Sequence, residues 1–434
     1  MNNRASALLA ACLDAGRCSA RDPTIANFTR LLLKNAEHTW GKSHYFLNDQ
    51  TTWSNVDLQA ALARGAPNFL DMVASWQEQR DWGLGLPLQA LERHALHAEV
   101  AAAWADLYPP APPPAPAAGG WVPLAPGAAP ETVGVWTLAF DAQSGALSLL
   151  AQAGVAPGAA WVNASADGAS VFFAAEYQTY DNASIAEWLD LYNSASLPGW
   201  ISTPGCGFSD WYALGFGKVN MTLAKPTPVR QSARQSLRGL WRRAAPDGGV
   251  SFLVASAFEP SELRNLYGAP AELQTQYDFP AAGGGSRVNV SLAAYGKGAT
   301  RLPEGLFLRL RPAAGAGSLS WRVGKLGQEV DVLGGGSGVL EGGNQRQHGA
   351  VGGVRVQQAA GARAALQVLS PDAPLATFGD PSIFPVPTAR GSADPAFGLT
   401  LMLMNNLWST NYPFWQPWKA GDENIRWRFS FEAA

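Results

Sequence analysis

The residues best suited to chemistry sit in a handful of short stretches. "LLLKNAEHTWG" (31–41) places Glu37, His38 and Trp40 at the end of an apolar helical run, an acid, an imidazole and an indole together, as in a pocket wall. "KGATRLPEGL" sets Lys297, Arg301 and Glu304 in a strand–loop–strand context, and "NQRQHG" puts Gln345, Arg346 and His348 in a loop. Loop charges at that density either orient a ligand or are simply solvated. "SWQEQR" joins Trp76, Glu78 and Arg80, and reads equally as a plain surface helix. The densest stretch is "NNLWSTNYPFWQPW", with Asn405, Asn406, Trp408, Asn411, Trp415 and Trp418. Amides bond hydroxyl groups and indoles stack on C–H faces, so this composition suits a sugar-contacting wall. A loop pinned by its own tryptophans is the structural alternative.

Other chemistries lack their signatures. There is no phosphate-binding glycine loop, no H-E-x-x-H, no C-x-x-C pair and no G-x-S-x-G elbow. The five histidines, His38, His44, His94, His97 and His348, make no metal-binding spacing among themselves. A net charge of −3 without Lys/Arg clusters argues against nucleic acid as partner. The apolar stretches are too short for a membrane span. Cys12 and Cys18 flank "LDAGR" at a distance that suits a small disulfide loop or two separate thiols, with Cys206 left over. N-x-S/T sequons stand at Asn27, Asn163, Asn182, Asn220 and Asn289. Together with the cysteines they favour a secreted or secretory/vacuolar location, with the targeting segment outside this chain.

Positioning these residues requires two kinds of element. Residues 1–108 read as a small antiparallel helical bundle. Asp22–Pro23 is an N-cap followed by proline at the first helical position, leading into Ile25, Phe28, Leu31 and Leu32 at helical spacing. Asn55 caps a second helix that Gly65 closes, and "NFLDMVASWQEQRDW" is a third. Leu88, Leu91, Ala95, Ala98 and Ala102 line one face of a fourth. "PPAPPPAPAAGG" (109–120) is a stiff, extended linker. Residues 121–434 then change to two-residue periodicity. "VGVWTLAFD" and "SGALSLLAQAG" form a hairpin, and "ASVFFAAEYQTYD", "VSFLVASAF", "SRVNVSLAAY", "EGLFLRLRP" and "GLTLMLMNN" are strands. "IRWRFSFEA" alternates with Ile425, Trp427, Phe429 and Phe431 on one face. The expected fold is mainly β with an N-terminal α region: a large antiparallel β-sandwich after the helices.

In order along the chain, "CLDAGRC", "DPTIANFTRLLLKNAEHTWG", "SWQEQR", "VGVWTLAFDAQSGAL", "AAEYQTY", "FGKVNMTLAKP", "GKGATRLPEGLFLRLRP", "KLGQEVDV", "NQRQHGAVGGV", "LSPDAPLA" and "NNLWSTNYPFW" resemble the α-mannosidase-related proteins similar to glycoside hydrolase family 38, in a branch catalogued as a domain of unknown function. Ser409 stands where that family usually has glycine, and the Pro/Ala linker is longer. The resemblance implies a catalytic β/α barrel followed by a helical bundle and a mutarotase-like sandwich. Met1 falls inside the bundle, so the barrel, or another chain covering the exposed face, is expected outside these residues. A retaining glycosidase needs two carboxyl groups about 5–5.5 Å apart; Glu37, Glu78 and Glu304 are the best candidates, and no local motif pairs two of them. The expected function is therefore the C-terminal portion of an α-mannosidase-like hydrolase, inactive alone. The alternative is a secreted carbohydrate-binding or scaffolding protein. In the resembled enzymes a histidine after the barrel completes a zinc site. His38 matches it in position, with Thr39 in place of an acid, so zinc is implied for an intact homologue and not for this chain alone.

Overall fold

A computed structural model describes residues 1–34, 60–110, 112, 119–152, 160–188, 227–298, 300, 302–313, 319–325, 327–333, 344–358, 365–384, 393–394, 396–406 and 422–434. Glu37, His38, Trp40, Cys206, Arg301, Trp408, Asn411, Trp415 and Trp418 lie outside these residues.

The N-terminal region is helical. Helix α1 (Asn2–Asp14) is followed by α2 (Pro23–Leu33), whose N-cap Asp22 accepts a hydrogen bond from the Thr24 amide at 2.8 Å. Cys12 and Cys18 are joined in a disulfide. Residues 60–63 end a helix that Gly65, at φ +69°, closes in the left-handed conformation open to glycine. Helix α3 (Pro67–Arg80) runs through a π-helical turn, Asp81–Gly85, into α4 (Leu86–Ala90).

The fourth helix expected from residue 88 onward is instead two pieces, α4 and α5 (Leu96–Ala105). His94 makes the break: its Nδ1 accepts from the Leu96 amide at 3.1 Å and so caps α5. The buried face of α5 is Leu96, Val100 and Trp104, at spacing of four, rather than the alanines. These residues share a core with Ala5, Cys12, Ile25, Phe28, Leu32 and Leu91. Helix α3 packs elsewhere. Its Phe69, Met72 and Trp76, all on one face, join the core of the sandwich.

Nineteen strands follow among the described residues, every pair antiparallel. They begin with β1 (Val122–Pro123), β2 (Glu131–Val133), β3 (Trp136–Phe140), β4 (Leu147–Gln152) and β5 (Val162–Asn163). After a helical turn, α6 (Ala164–Asp167), come β6 (Val171–Thr179), β7 (Gln231–Ala244), β8 (Val250–Phe258), β9 (Glu272–Phe279) and β10 (Val288–Tyr295). Next are β11 (Glu304–Arg311), β12 (Leu319–Lys325), β13 (Gln328–Asp331), β14 (Gln347–Gly349) and β15 (Val354–Gln358). The last four are β16 (Ala365–Leu369), β17 (Leu375–Phe378), β18 (Leu399–Asn406) and β19 (Ile425–Ala433).

They make two layers. One runs β1-β7-β8-β9-β10-β19-β16-β15-β12-β13. The other runs β2-β3-β4-β6-β11-β18-β17-β14, with β5 on β4. Strand β7 joins them: residues 231–234 pair with β6 and residues 235–244 with β8. Alternating apolar residues from both layers meet in the middle, such as Tyr177, Phe252, Tyr277, Phe429 and Phe431. The result is a sandwich-like, unclosed sheet with an N-terminal helical region, as the periodicities predict.

Helices and sandwich are clamped together. Arg4 of α1, 1 % exposed, donates through Nε and Nη2 to Asp372 at 2.9 and 2.7 Å. Asp372 also accepts from the Arg428 backbone and side chain on β19, and Arg4 reaches Asp106 at 2.8 Å.

Candidate functional site

Strands β6, β11 and β18 lie side by side and carry polar groups on both of their faces. The inward face holds a sealed cluster. Glu304 pairs across the ladder with Asn406, and Leu306 with Tyr177, so strand alternation aims Glu304, Asn406 and Tyr177 the same way. Lys297 Nζ donates to Glu304 Oε1 at 2.6 Å and to the Gly298 carbonyl at 2.8 Å. Asn406 Nδ2 donates to the same carboxylate at 3.2 Å and to the Thr300 carbonyl at 2.7 Å, and the Tyr177 hydroxyl donates to Oε2.

None of the four is more than 1 % exposed. Burial pushes the Glu304 carboxyl up, against the pull of Lys297, Tyr177 and Asn406. Burial likewise pushes the Lys297 ammonium down, against the opposing charge of Glu304. The Tyr177 phenol stands well above its ordinary value, by burial first and the Glu304 charge second. Three of the residues marked in the sequence, Lys297, Glu304 and Asn406, are thus brought together, but as a buried bond network rather than an open wall.

The outward face of β6 and β11, with the start of β7, forms the floor of a cleft of about 810 Å³. Glu176, next to Tyr177 on β6, accepts from Arg309 Nη1 of β11 at 2.9 Å. Its other oxygen accepts from Ser232 Oγ at 2.7 Å and Gln178 Nε2 at 2.8 Å. The Tyr180 hydroxyl donates to Gln178 Oε1 at 2.7 Å. Bulges between Arg309 and Leu310 and between Leu306 and Phe307 set the phase of β11 against its two neighbours.

The walls are aromatic. Asp181 caps the helical stretch 182–188 by accepting from the Ser184 amide at 2.8 Å, and that stretch presents Trp188. The indole stacks on Phe384 with centroids 5.4 Å apart, and the Tyr180 ring meets Phe384 edge-on. Phe397 lies 4.4 Å from the Arg309 guanidinium. Arg230 and Glu187 pair at 2.7 Å on the rim, and Arg346 bonds the Asp380 carbonyl at 3.1 Å. Such a cleft supplies amides, guanidinium groups and carboxylates beside stacked rings.

The other marked residues are dispersed. Asn405 pairs with Gly305 and faces away from Asn406. His348 sits on the edge strand β14, 5 % exposed, its Nε2 bonded to the Gln345 carbonyl and its ring edge-on to Phe378. Burial pushes its pKa down, and the contacts are those of a packing residue. Trp76 is in the sandwich core, Arg80 binds Asp422 at 2.8 Å, and Glu78 is exposed on α3. Glu176, Gln178 and Arg309 escaped notice as site residues. Their only signal is that a glutamate, a glutamine and an arginine interrupt strands otherwise built of apolar residues, in "AAEYQTY" and "LFLRLRP".

The zinc implied by the resemblance finds no set of ligands among the described residues, where no three His, Cys, Asp or Glu side chains gather to hold an ion. His38 is outside them. No curated protein matches the chain. A family model does, over residues 5–286, from α1 to near the end of the β9–β10 connection and including Glu176, Gln178 and Tyr177. With more than half its length matched, the chain belongs to the family described as Domain of unknown function (DUF5054).

Proposed function

We propose that this chain binds carbohydrate in the outward cleft of β6 and β11, as the helical and sandwich portion of an α-mannosidase-like glycoside hydrolase. The observation that carries the reading is the cleft itself. Glu176, Gln178, Ser232 and Arg309 form a bonded polar floor, and the half-buried ring of Phe397 lies beside it, with the buried Trp188–Phe384 stack behind the wall. Hydroxyl-rich ligands are held by such planar polar groups, while rings cover their C–H faces. The ordered motifs that resemble α-mannosidase-related proteins support the same class of ligand.

These residues bind without hydrolysing in this account. Of the carboxylates considered as catalysts, Glu304 is 0 % exposed and holds three donors, and Glu78 stands on α3. Isothermal titration of the chain with α-linked mannotriose should show binding that Gln178→Ala and Arg230→Ala each weaken by about ten-fold, with melting unchanged. Unchanged affinity in both variants would remove the cleft as the site. Turnover of an aryl α-mannoside by the same purified chain would refute the non-catalytic part alone.

A further inference from the structure

The opposite layer carries a second polar and aromatic surface on its outer face. Strand β9 alternates strictly, with Leu273, Thr275, Tyr277 and Phe279 inward and Glu272, Gln274, Gln276 and Asp278 outward. The outward four form a row roughly 20 Å long at strand spacing. They bond along the row, Gln274 to Glu272 at 2.6 Å and Gln276 to Asp278 at 2.9 Å, so their amides and carboxylates are held in place.

The neighbouring strand β8 is low here. Ala255 lies opposite Gln274, and beyond it Gly239 of β7 lies opposite Ala255. Trp241 is on the same face of β7, two residues further on. A Cβ built on Gly239 would lie 2.1 Å from the tip of the Trp241 ring, so the indole leans over the glycine, in space that no other residue would leave. A bulge at Leu237–Gly239 sets this phase. Further along the same face, Arg243 lies 4.4 Å from the Trp121 ring. Trp241, Arg238, Ala255, Glu272, Glu259 and Arg264, the last in the π-helical turn Leu263–Tyr267, line a groove of about 560 Å³.

We propose that this groove is a second carbohydrate-binding surface, separate from the cleft, that takes an extended neutral glycan chain. A half-exposed indole beside a low floor offers a face for a sugar ring, and the amide–carboxylate row offers hydrogen bonds along a chain. The length of the row suits several linked sugars rather than one. The charges that line the groove balance, Arg238 and Arg264 against Glu259 and Glu272, so it offers no net positive field to draw a polyanionic chain.

The test is affinity electrophoresis of the whole chain in gels containing soluble β-glucan, whose sugars the cleft is not proposed to take. The parent should be retarded. Trp241→Ala should weaken retardation about ten-fold, as should Gly239→Val, which drives a side chain into the indole. Val351→Ala, at an exposed position outside both the groove and the cleft, should leave retardation in place. Melting curves confirm that each variant is folded; if Gly239→Val does not fold, Trp241→Ala decides. A parent that the β-glucan does not retard, or a folded Trp241→Ala that migrates as the parent does, overturns the proposal. Loss of mannotriose binding in the cleft variants with groove retardation intact keeps the two sites apart.

Discussion

At Glu304 three donors converge on one carboxylate from which water is excluded, and its Lys297 partner is equally buried. Removing one charge strands the other in a medium of low dielectric, which costs more than losing the attraction itself. Glu304→Gln should therefore lower unfolding stability by about 3–5 kcal/mol in urea titration, whereas Lys297→Met/Glu304→Leu should recover most of that loss. Equal stability of Glu304→Gln and parent would show that the pair carries no structural weight. Asp372 gives a pH signature. Burial alone would raise its pKa and is the largest single influence, yet the bonds and charges of Arg4 and Arg428 together leave it lowered. A carboxyl lowered on folding contributes stability above its unfolded pKa of about 3.9, and that contribution is lost as pH falls through the folded value. Asp372→Asn should flatten the acid limb of the stability–pH curve and destabilise the chain at neutral pH. An unchanged acid limb would exclude the Arg4–Asp372–Arg428 network as its source.

Helix α3 shows how elements can differ in partner from their neighbours in sequence. Its Phe69, Met72 and Trp76 enter the sandwich core, while α1, α2 and α5 share a core of their own. Trp76→Ala should cost about 3–5 kcal/mol, and near- and far-ultraviolet unfolding curves should shift together. A shift confined to the helical signal would place Trp76 in a separately unfolding unit. Much of this was legible from the sequence: the Asp22 cap, the Gly65 stop, the β3–β4 hairpin and the alternation of β19 follow from local spacing. Strands β7 and β9 were not, because their outward residues are arginines, glutamines and acids that mask the apolar alternation. The break between α4 and α5 was hidden too, since it depends on a histidine accepting a backbone bond. Among the site residues, the charge density at Lys297 and Glu304 was visible, but not that it points inward. That direction depends on register with β6 and β18, which local sequence does not encode.

On the scale of the whole molecule, the helices are held to the sandwich by Arg4 on Asp372, by the Arg426 side chain on Asp106, and by the Arg426 amide bonded to the Leu107 carbonyl at 2.8 Å. Cleavage at a protease site engineered between 109 and 120 should consequently leave both fragments co-eluting in gel filtration, and separation of the fragments would show the clamp to be too weak to hold them. The cleft lies on the outer face of one layer and the Trp241 groove on the outer face of the other, with the apolar core between them. Carbohydrate in the Glu176–Arg309 cleft can be read by amide hydrogen exchange with and without saturating α-linked mannotriose. Exchange should slow in 176–188 and 230–234, with the core of β19 unchanged. Slowed exchange confined to segments outside the cleft, or none under conditions where titration shows binding, would contradict that placement.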